Sequence, residues 1–329
     1  MIDAFFTTME KKPFKALLQH EAIAVAVSGG PDSMALAYLV TRWTEKNNGP
    51  RIHIICVDHG LRSEAAAEAE MVGQVSKAWP KARHFVVKWE GEKPTQRVQE
   101  SAREARYDLI EAHCRAYDIK ALVLGHHGDD QAETVLFRLA KGSGLDGLSG
   151  MRPMQQRGDL NLYRPLLDIP KDDILSFCAA EKIPFIDDPS NNKEQYARVR
   201  LRQSRAVLER EGITAKRLGV TAKRLDRARE ALDYYADLSF HTARIFYDTD
   251  RIVFNYGALR YLPYEILLRV IVLGMEALHP TVGYKPRMEK LEALISDLLV
   301  QDKMKPRTLG GVILSRNGSE LTLVREHAK

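Results

Sequence analysis

Hydrophobic positions in the first half of the chain alternate between two periods. Short apolar runs, which are typical of buried strands, occupy residues 22–27, 52–57, 84–89 and 121–124. Apolar residues that recur every three or four positions indicate helices over residues 32–44, 63–78, 96–117 and 130–139. Strands that alternate with helices predict βαβ units, and therefore an α/β fold with a doubly wound, mostly parallel sheet.

This alternation ends near the middle of the chain. Residues 141–165 contain five glycines, and we expect a long loop there. A short helix is predicted over residues 171–181, and the segment FIDDPSNN (185–192) is a turn-rich break. The regular βα pattern therefore does not continue into the second half.

The remaining chain is predicted to be mainly helical. A long helical stretch covers residues 202–246, with interruptions expected near Gly212 and Gly219. Two further segments with helical spacing are residues 259–278 and 285–299. The dipeptide Asn317-Gly318, between two apolar runs, predicts a β-hairpin at the end of the chain.

The length of 329 residues fits two domains. We assign the α/β domain to residues 1–212, and a mainly helical domain ending in the hairpin to residues 213–329. An apolar fraction of 45% and a charged fraction of 28% are ordinary for a soluble globular protein.

Targeting signals and disulfides are not expected. No apolar run approaches the roughly 18 residues that indicate a membrane span, and the N-terminus lacks the pattern of a secretory leader. The three cysteines, Cys56, Cys114 and Cys178, lie far apart, and their odd number argues against a disulfide framework. We therefore expect a cytoplasmic protein that does not associate with membranes.

Positive charge is concentrated in one segment. Residues 193–229 contain twelve Lys or Arg and only four Asp or Glu, whereas the whole chain has a net charge of +5. Such a block predicts a surface that faces a polyanion. A solvated helix face is the alternative that charge alone leaves open.

The segment SGGPDS (28–33) lies between the first predicted strand and the first predicted helix. Gly29 and Gly30 permit backbone angles that expose consecutive N–H groups, and Pro31 suits the first position of a helix. The positive end of that helix points at the loop. Together these features predict a binding site for phosphate oxygens.

Polar side chains in the same loop refine this interpretation. Ser28 and Ser33 offer hydroxyl donors, whereas Asp32 fits an anion site only if a cation such as Mg²⁺ is also present. The loop lacks the lysine of a Walker motif, and it is not a GxGxxG motif. A strand–helix turn capped by Asp or Ser is the alternative.

Two further strand exits are polar, and the carboxyl ends of parallel strands should face one crevice. Asp58 and His59 follow the second strand, and the segment HHGDDQAET (126–134) follows the fourth. Asp130 and Glu133 share a face at the start of a helix. They are candidates for binding an amine, with helix-capping acids or a zinc cluster as alternatives. His126 or His127 could share a proton-transfer role.

Arg198, Arg200 and Arg202 alternate along the chain, so an extended backbone would point all three to one side. Arginine binds phosphate or carboxylate groups through two parallel hydrogen bonds. A solvated edge is the other interpretation of this pattern.

These motifs resemble a known family. SGGPDS is similar to the pyrophosphate-binding loop of the N-type ATP pyrophosphatases, which have an adenine nucleotide alpha hydrolase-like fold. Within that group, the motifs resemble those of the tRNA(Ile)-lysidine synthetases over residues 22–202, and more weakly beyond. The motifs that carry this resemblance are VDHGLR (57–62), LGHHGDDQAETVLFRLAKGSGLDGLSGM (124–151), RPLL (164–167), DDPSN (187–191) and RVRLR (198–202).

The resemblance implies an ATP-dependent carbon–nitrogen ligase. Members of this family adenylate the wobble cytidine of the CAU anticodon of tRNA(Ile), attach free L-lysine to form lysidine, and release AMP and pyrophosphate. ATP, Mg²⁺, tRNA(Ile) and lysine are therefore the implied ligands. Oligomeric state is left open, with a homodimer as one option. Larger family members carry a further C-terminal domain, which is not expected in this sequence.

The resemblance also implies roles for individual residues. ATP would be bound by Ser28, Gly29, Gly30, Pro31, Asp32, Ser33, Asp58 and His59. Lysine would be bound by Asp130 and Glu133, and Mg²⁺ by Asp32. Catalysis would involve Asp32, Asp130, Glu133, His126 and Arg202. The residues expected to bind tRNA are Arg198, Arg200, Lys216, Arg217, Lys223 and Arg224.

Rival functions remain within and outside this group. Thiolases of the group generally need paired cysteines, and GMP synthetase would bring an amidotransferase domain; neither feature is evident here. NAD synthetase is a third relative. A nucleotide-binding sensor without chemistry is the rival from a different class, and release of AMP and pyrophosphate only when tRNA is present would exclude it.

Overall fold

A computed structural model describes residues 1–58, 60, 65–91, 98–186, 204–278, 287–301 and 303–326. The chain divides into two compact units, Met1–Asp226 and Arg227–Lys329. The division lies inside a long helix, whereas the sequence placed the domain change at residues 212–213. None of the helices in the described part of the chain is long and apolar enough to span a bilayer.

The first unit is built on a six-stranded sheet in the order β3-β2-β1-β4-β6-β5. All neighbours pair in parallel except β5, which is antiparallel to β6. The doubly wound, mostly parallel sheet is therefore confirmed. The strands are β1 (Ala22–Ala26), β2 (Arg51–Asp58), β3 (Ala82–Lys88), β4 (Ala121–Val123), β5 (Met154–Arg157) and β6 (Leu160–Tyr163).

Helices connect these strands. The N-terminal part has a helix α1 (Ile2–Met9) and a 3₁₀ helix (Phe14–Gln19). The connecting helices are α2 (Pro31–Lys46), α3 (Ala65–Ser76), α4 (Val98–Ala116), α5 (Gly128–Ala140), α6 (Leu145–Leu148) and α7 (Lys171–Ala180). The helices α8 (Arg205–Arg210) and α9 (Ala215–Ala243) follow.

Alternating side chains of β1 supply both faces of the sheet. Ile23 and Val25 are fully buried in one core together with Trp43 of α2. Ala24 is buried in a second core that includes Ile110 of α4. Because successive side chains of a strand point to opposite faces, α2 and α4 cover opposite faces of the sheet.

The order in which the chain adds strands to the sheet reverses beside β1. It moves outward from β1 to β2 and β3, and then returns to form β4 on the other side of β1. Such a reversal opens a crevice beyond the carboxyl ends of the two strands, because their following helices lie on opposite faces. The residues that follow β1 and β4 therefore meet.

The prediction of a long loop over residues 141–165 is wrong. This segment contains α6 and the hairpin β5–β6, and β6 extends the sheet by pairing with β4. The two strands have only four residues each, and β5 reads MQQR with little apolar content. Periodicity cannot detect strands this short. They are defined by pairing instead, β6 with β4 and β5 with β6.

The described residues of the second unit form four helical segments and five strands. The end of α9 is followed by β7 (Arg244–Tyr247), β8 (Arg251–Asn255), α10 (Tyr256–Leu259), α11 (Tyr264–Leu278), α12 (Met288–Val300), β9 (Lys303–Leu309), β10 (Val312–Asn317) and β11 (Glu320–Arg325). The strands form an antiparallel sheet in the order β7-β8-β11-β10-β9.

Predictions for the second half are partly confirmed. The hairpin across Asn317-Gly318 is present as β10–β11, and helices were correctly expected. The three other strands were not predicted. Gly212, with φ of +80°, separates α8 from α9, whereas Gly219 lies inside α9 without interrupting it. The predicted helix over 259–278 begins later, at Tyr264 directly after Pro263, and Leu259 is the last residue of the short helix α10.

An aromatic cluster with two close histidines links β2, β3 and α4. His53 Nδ1 lies 3.1 Å from His113 Nε2, and Phe85 stacks on the His53 ring with 4.5 Å between centroids. Tyr117 contacts both histidines edge-on or tilted. Burial, followed by the charge of His113, lowers the pKa of His53 to about 4, and burial also lowers the pKa of His113.

We predict that acid destabilises the first unit through this pair. His53 and His113 have lowered pKa values when folded, so between about pH 6.5 and 4 the unfolded chain binds protons that the folded chain does not. The contribution of this pair to the free energy of unfolding should be fully present above pH 6.5. It should fall by up to about 3 kcal/mol as the pH drops through that window. The positive charges of Arg51 and Arg83 also disfavour protonation of His53 and lower its pKa further.

Denaturant titrations of the intact chain at pH 7.5 and 5.0 measure this loss. In the variant His113→Gln, the free energy of unfolding should differ less between the two pH values. His241→Gln removes a surface histidine that lies 3.5 Å from Asp237, and it serves as the control that leaves the difference unchanged. If His113→Gln lost as much stability between pH 7.5 and 5.0 as the unchanged protein, the pair of His53 and His113 would not be the cause of the loss.

Candidate functional site

The turn between β1 and α2 depends on glycine. Gly29 has a φ of +83°, a conformation that side chains disfavour. Its carbonyl accepts a hydrogen bond of 2.9 Å from the N–H of Ile186. A Cβ at Gly29 would also lie 3.2 Å from Ile186 Cδ1. Gly30 then caps α2, which begins at Pro31.

Two serines hold this turn closed. The backbone N–H of Ser28 donates to Ser33 Oγ at 3.1 Å, and the Ser33 hydroxyl donates to the Gly30 carbonyl at 2.9 Å. The two hydroxyl oxygens are 3.3 Å apart. Because Ser33 fixes the loop from inside, the first-turn N–H groups of α2 are directed toward one place beyond the strand end.

The exit of β4 passes against this loop. A Cβ on Gly125 would lie 3.2 Å from the carbonyl oxygen of Asp32 and 3.3 Å from the nitrogen of Ser33. Only a residue without a side chain leaves the two backbones at this separation. The backbone after β4 is therefore in contact with the first turn of α2.

His127 caps α5 and faces two carboxylates. Its Nδ1 accepts a hydrogen bond of 3.2 Å from the N–H of Asp129, and its own N–H donates to Asp130 Oδ2 at 3.1 Å. Since Nδ1 is an acceptor, a neutral ring has its proton on Nε2. That nitrogen lies 3.4 Å from Asp130 Oδ2 and 3.7 Å from Asp32 Oδ2.

Lys171 approaches the loop from the start of α7. Its Nζ lies 2.6 Å from Asp32 Oδ1, and its backbone N–H donates to Asp129 Oδ1 at 3.1 Å. Sequence reasoning missed this residue, although it follows the RPLL motif closely. Its place at the predicted start of a helix indicates a first-turn residue, but no local pattern reports its contact with Asp32.

Cys178 also lies under the loop. Its Sγ is 3.6 Å from the carbonyl of Pro31. Burial, with the charge of Asp32 as a further cause, raises the pKa of this thiol to about 11. Burial raises the pKa of Cys56 and of Cys114 to about 12. All three cysteines are buried free thiols that stay protonated at neutral pH.

Side chains of α5 anchor the glycine-rich segment that follows it. Gln131 accepts from the N–H of Met151 at 2.7 Å and donates to its carbonyl at 3.0 Å. Arg138 donates to the carbonyls of Gly147 and Gly150, both at 2.9 Å. Sequence reasoning did not assign these roles. They hold the segment that ends at Met151 against α5.

The structure brings several predicted site residues together. Asp32 and Asp130 converge on His127 Nε2, and the half-buried Glu133 lies one turn along α5 from Asp130. His126 is half-buried at the same strand exit. Asp58 ends β2 beside β1, and its Oδ1 accepts from the N–H of Gly60 at 2.9 Å.

Other predicted site residues lie on α9 or outside the described residues. Those outside are His59, Arg198, Arg200 and Arg202. Four basic residues are exposed on the first turns of α9: Lys216, Arg217, Lys223 and Arg224. Lys223 pairs with Asp168 at 2.7 Å.

Metal binding at this site would need an external ligand. In the part of the chain that the structure describes, no group of three or more His, Cys, Asp or Glu side chains is arranged to hold a metal ion. Mg²⁺ is commonly held by one or two carboxylates together with substrate phosphates. The oxygen donors of Asp32, in the first turn of α2 beside the SGGPDS loop, fit that arrangement.

A model of the PP-loop domain family matches residues 4–209. Curated relatives extend the match. The tRNA(Ile)-lysidine synthase of Methylobacterium nodulans is 40% identical over 309 residues, which cover 92% of this chain and 90% of that protein. The chain belongs to the tRNA(Ile)-lysidine synthase family. The enzyme of Wolbachia pipientis wMel is 34% identical over 307 residues, covering 93% of this chain and 71% of that protein.

The match to other family members is shorter. The tRNA(Ile)-lysidine synthases of Rhodopseudomonas palustris and Bradyrhizobium diazoefficiens are 40% and 42% identical, but the aligned part covers only 62% and 56% of their lengths. Among solved structures, a tRNA thiolase of Methanococcus maripaludis superposes with a TM-score of 0.58 over 68% of this chain and 78% of its own, at 17% identity. That likeness concerns the fold.

We predict that Gly125→Ala weakens nucleotide binding without unfolding the protein. The new Cβ would press on the backbone of Asp32 and Ser33, so the loop must shift by a few tenths of an ångström. Misplacement on this scale should weaken ATP binding roughly tenfold. Isothermal titration calorimetry with ATP and Mg²⁺ measures the change.

Gly219→Ala is the matched control, because a Cβ there meets open space on a helix. It should bind ATP as the unchanged protein does. Equal affinity of Gly125→Ala and the unchanged protein would show that the contact does not shape the site.

Proposed function

We propose that this chain is an ATP-dependent ligase that adenylates the wobble cytidine of the tRNA(Ile) CAU anticodon and then attaches free lysine to form lysidine. One observation carries the proposal: in a chain of this family, the SGGPDS loop and the acidic start of α5 meet at the reversal point between β1 and β4. An anion site and an ammonium site side by side suit ATP and lysine.

The first step joins cytosine to AMP. The carbonyl oxygen of the base attacks the α-phosphorus of ATP, the bond from that phosphorus to the bridging oxygen breaks, and pyrophosphate leaves. The N-terminus of α2 and the loop would bind the leaving group through backbone N–H groups. Mg²⁺ held by Asp32 and the phosphates would balance negative charge on the leaving group.

The second step transfers lysine. The ε-amine attacks the activated carbon, the new carbon–nitrogen bond forms, and AMP departs with the former carbonyl oxygen. The proton that the amine loses needs an acceptor. Asp130 and Glu133 would bind the lysine ammonium and leave a carboxylate near this proton. His127 already has its proton on Nε2 when neutral, since its Nδ1 is engaged by Asp129, so a carboxylate is the better acceptor.

The thiols argue against the thiolase alternative. Cys178, which lies under the loop, has a pKa of about 11 and is not a thiolate at neutral pH. The other two cysteines are buried as well. A sulfur-transfer reaction that uses a protein thiolate would need a reactive cysteine, and these buried thiols do not supply one.

Incubation with ATP, Mg²⁺, labelled lysine and tRNA(Ile) tests the proposal. The digested tRNA should contain one labelled nucleoside whose mass is that of lysidine, and AMP and pyrophosphate should appear in equal amounts. A transcript in which the wobble cytidine is replaced by uridine should give no labelled nucleoside, no AMP and no pyrophosphate. Release of AMP without labelled tRNA would overturn the proposal.

We predict that Glu133→Gln and Asp130→Asn impair lysine transfer more than adenylation. Each change removes charge that faces the lysine ammonium, so loss of a charge-assisted hydrogen bond should weaken lysine use about tenfold or more. Asp130→Asn retains an oxygen that can accept from the N–H of His127 and cap α5. ATP–pyrophosphate exchange and lysine incorporation, measured separately, distinguish the steps.

Asp172→Asn is the control for those variants, because Asp172 is an exposed acid in the first turn of the neighbouring helix α7. It should leave both steps unchanged. Equal losses in exchange and incorporation would instead assign the acids of α5 to ATP or to the metal.

We predict that the basic start of α9 contributes to tRNA binding and hardly to ATP binding. The variant replaces four exposed residues with Gln: Lys216, Arg217, Lys223 and Arg224. Binding should weaken, and the salt dependence should flatten by up to about four contacts, each contributing a slope of roughly 0.7–0.9. Correct and incorrect tRNAs should be affected alike, because phosphate contacts carry no sequence information.

A second quadruple variant controls for net charge. It replaces four exposed lysines elsewhere in the first unit with Gln: Lys11, Lys12, Lys77 and Lys120. The pair of Lys223 with Asp168 is exposed and contributes little to stability, so its loss should not unfold the protein. Identical salt slopes for the two variants would mean that the block is only solvated.

A further inference from the structure

The acidic side chain of the phosphate-binding loop has a built-in counterion. Asp32 Oδ1 and Lys171 Nζ are 2.6 Å apart, and both side chains are 28% exposed. The pair is therefore partly shielded but still reachable from solvent. A carboxylate in the first turn of α2 is favoured by the helix dipole, yet it would repel an entering phosphate. Lys171 neutralises that repulsion.

The main chain fixes the base of the Lys171 side chain. Its N–H donates to Asp129 Oδ1, and α7 packs on α2 through the contact of Cys178 Sγ with the Pro31 carbonyl. The four-carbon stem of a lysine is flexible and carries its charge as a single point. The ammonium group can therefore move by a few ångströms while its Cα stays in place.

Lys171 and a metal ion would compete for the same oxygen. A divalent cation held by Asp32 would repel the ammonium group, and its binding at Oδ1 would displace that group. The displaced ammonium remains within reach of whatever anion the loop holds, because Asp32 is in the first turn of the helix whose N–H groups face that anion.

We propose that Lys171 is a tethered cation that occupies Asp32 before nucleotide binding and contacts the pyrophosphate portion of ATP afterwards. The exchange keeps the carboxylate neutralised in the empty site and adds one positive charge where negative charge develops on the leaving group. This inference rests on the proposed use of ATP, but not on the proposed acceptor or on lysine.

The proposal predicts two opposite changes in one variant, Lys171→Met, which keeps most of the apolar stem. Mn²⁺ alone, measured by electron paramagnetic resonance without nucleotide, should bind about tenfold more tightly, because Asp32 has lost its competitor. Pyrophosphate with Mg²⁺, measured by calorimetry, should bind about tenfold more weakly, because one charge-assisted contact is lost. Lys171→Arg should stay close to the unchanged protein in both measurements.

Two controls separate this role from a structural one. Lys120→Met removes a lysine that pairs with Asp118 at 3.2 Å on the surface, and it should change neither affinity. The double variant Asp32→Asn with Lys171→Met should lose the gain in Mn²⁺ binding. If Lys171 only stabilised the fold, Lys171→Met would lower the melting temperature and leave the pyrophosphate affinity unchanged.

The proposal is overturned if Lys171→Met binds pyrophosphate as tightly as the unchanged protein does, or if its affinity for Mn²⁺ does not rise. Neither measurement contains tRNA or lysine. A failure to form lysidine would therefore contradict the proposed function but not the role of Lys171. Unchanged binding of Mn²⁺ and pyrophosphate in Lys171→Met would contradict the role of Lys171 but not the proposed function.

Discussion

The backbone contact between Gly125 and the first turn of α2 is the constraint on which the site depends. It exists because β4 pairs directly with β1, so the segments leaving the two strands must share the same small volume. A side chain at residue 125 would separate them. With this contact in place, the loop with its N–H groups and the acidic start of α5 lie on either side of one crevice.

Neighbouring groups orient three of the carboxylates that line this crevice. Asp32 interacts with Lys171 and approaches His127 Nε2, and Asp129 and Asp130 each accept backbone hydrogen bonds. Each carboxylate is therefore held in a defined direction before any ligand arrives. Pre-organised groups need little rearrangement when a ligand's charge replaces a neighbour's, which is the main electrostatic advantage of an enzyme site.

Much of this arrangement could be predicted from the sequence, since it depends on local signals. The apolar run before SGGPDS and the helical spacing after it defined β1 and α2, and the order of strands and helices defined the sheet. Lys171 was missed because its partner Asp32 is 139 residues away in the chain, and no local pattern reports such a contact. The strands β5 and β6 were missed for a similar reason, because β6 is defined by pairing with β4 and β5 by pairing with β6.

The buried cysteines have a practical consequence for future work. Because Cys56, Cys114 and Cys178 are buried and protonated at neutral pH, they should not react with maleimide reagents in the native protein. A single cysteine introduced on the surface would then be the preferred attachment point for a fluorophore or spin label. The natural sequence therefore already provides the unreactive background that labelling studies usually have to create by removing native thiols.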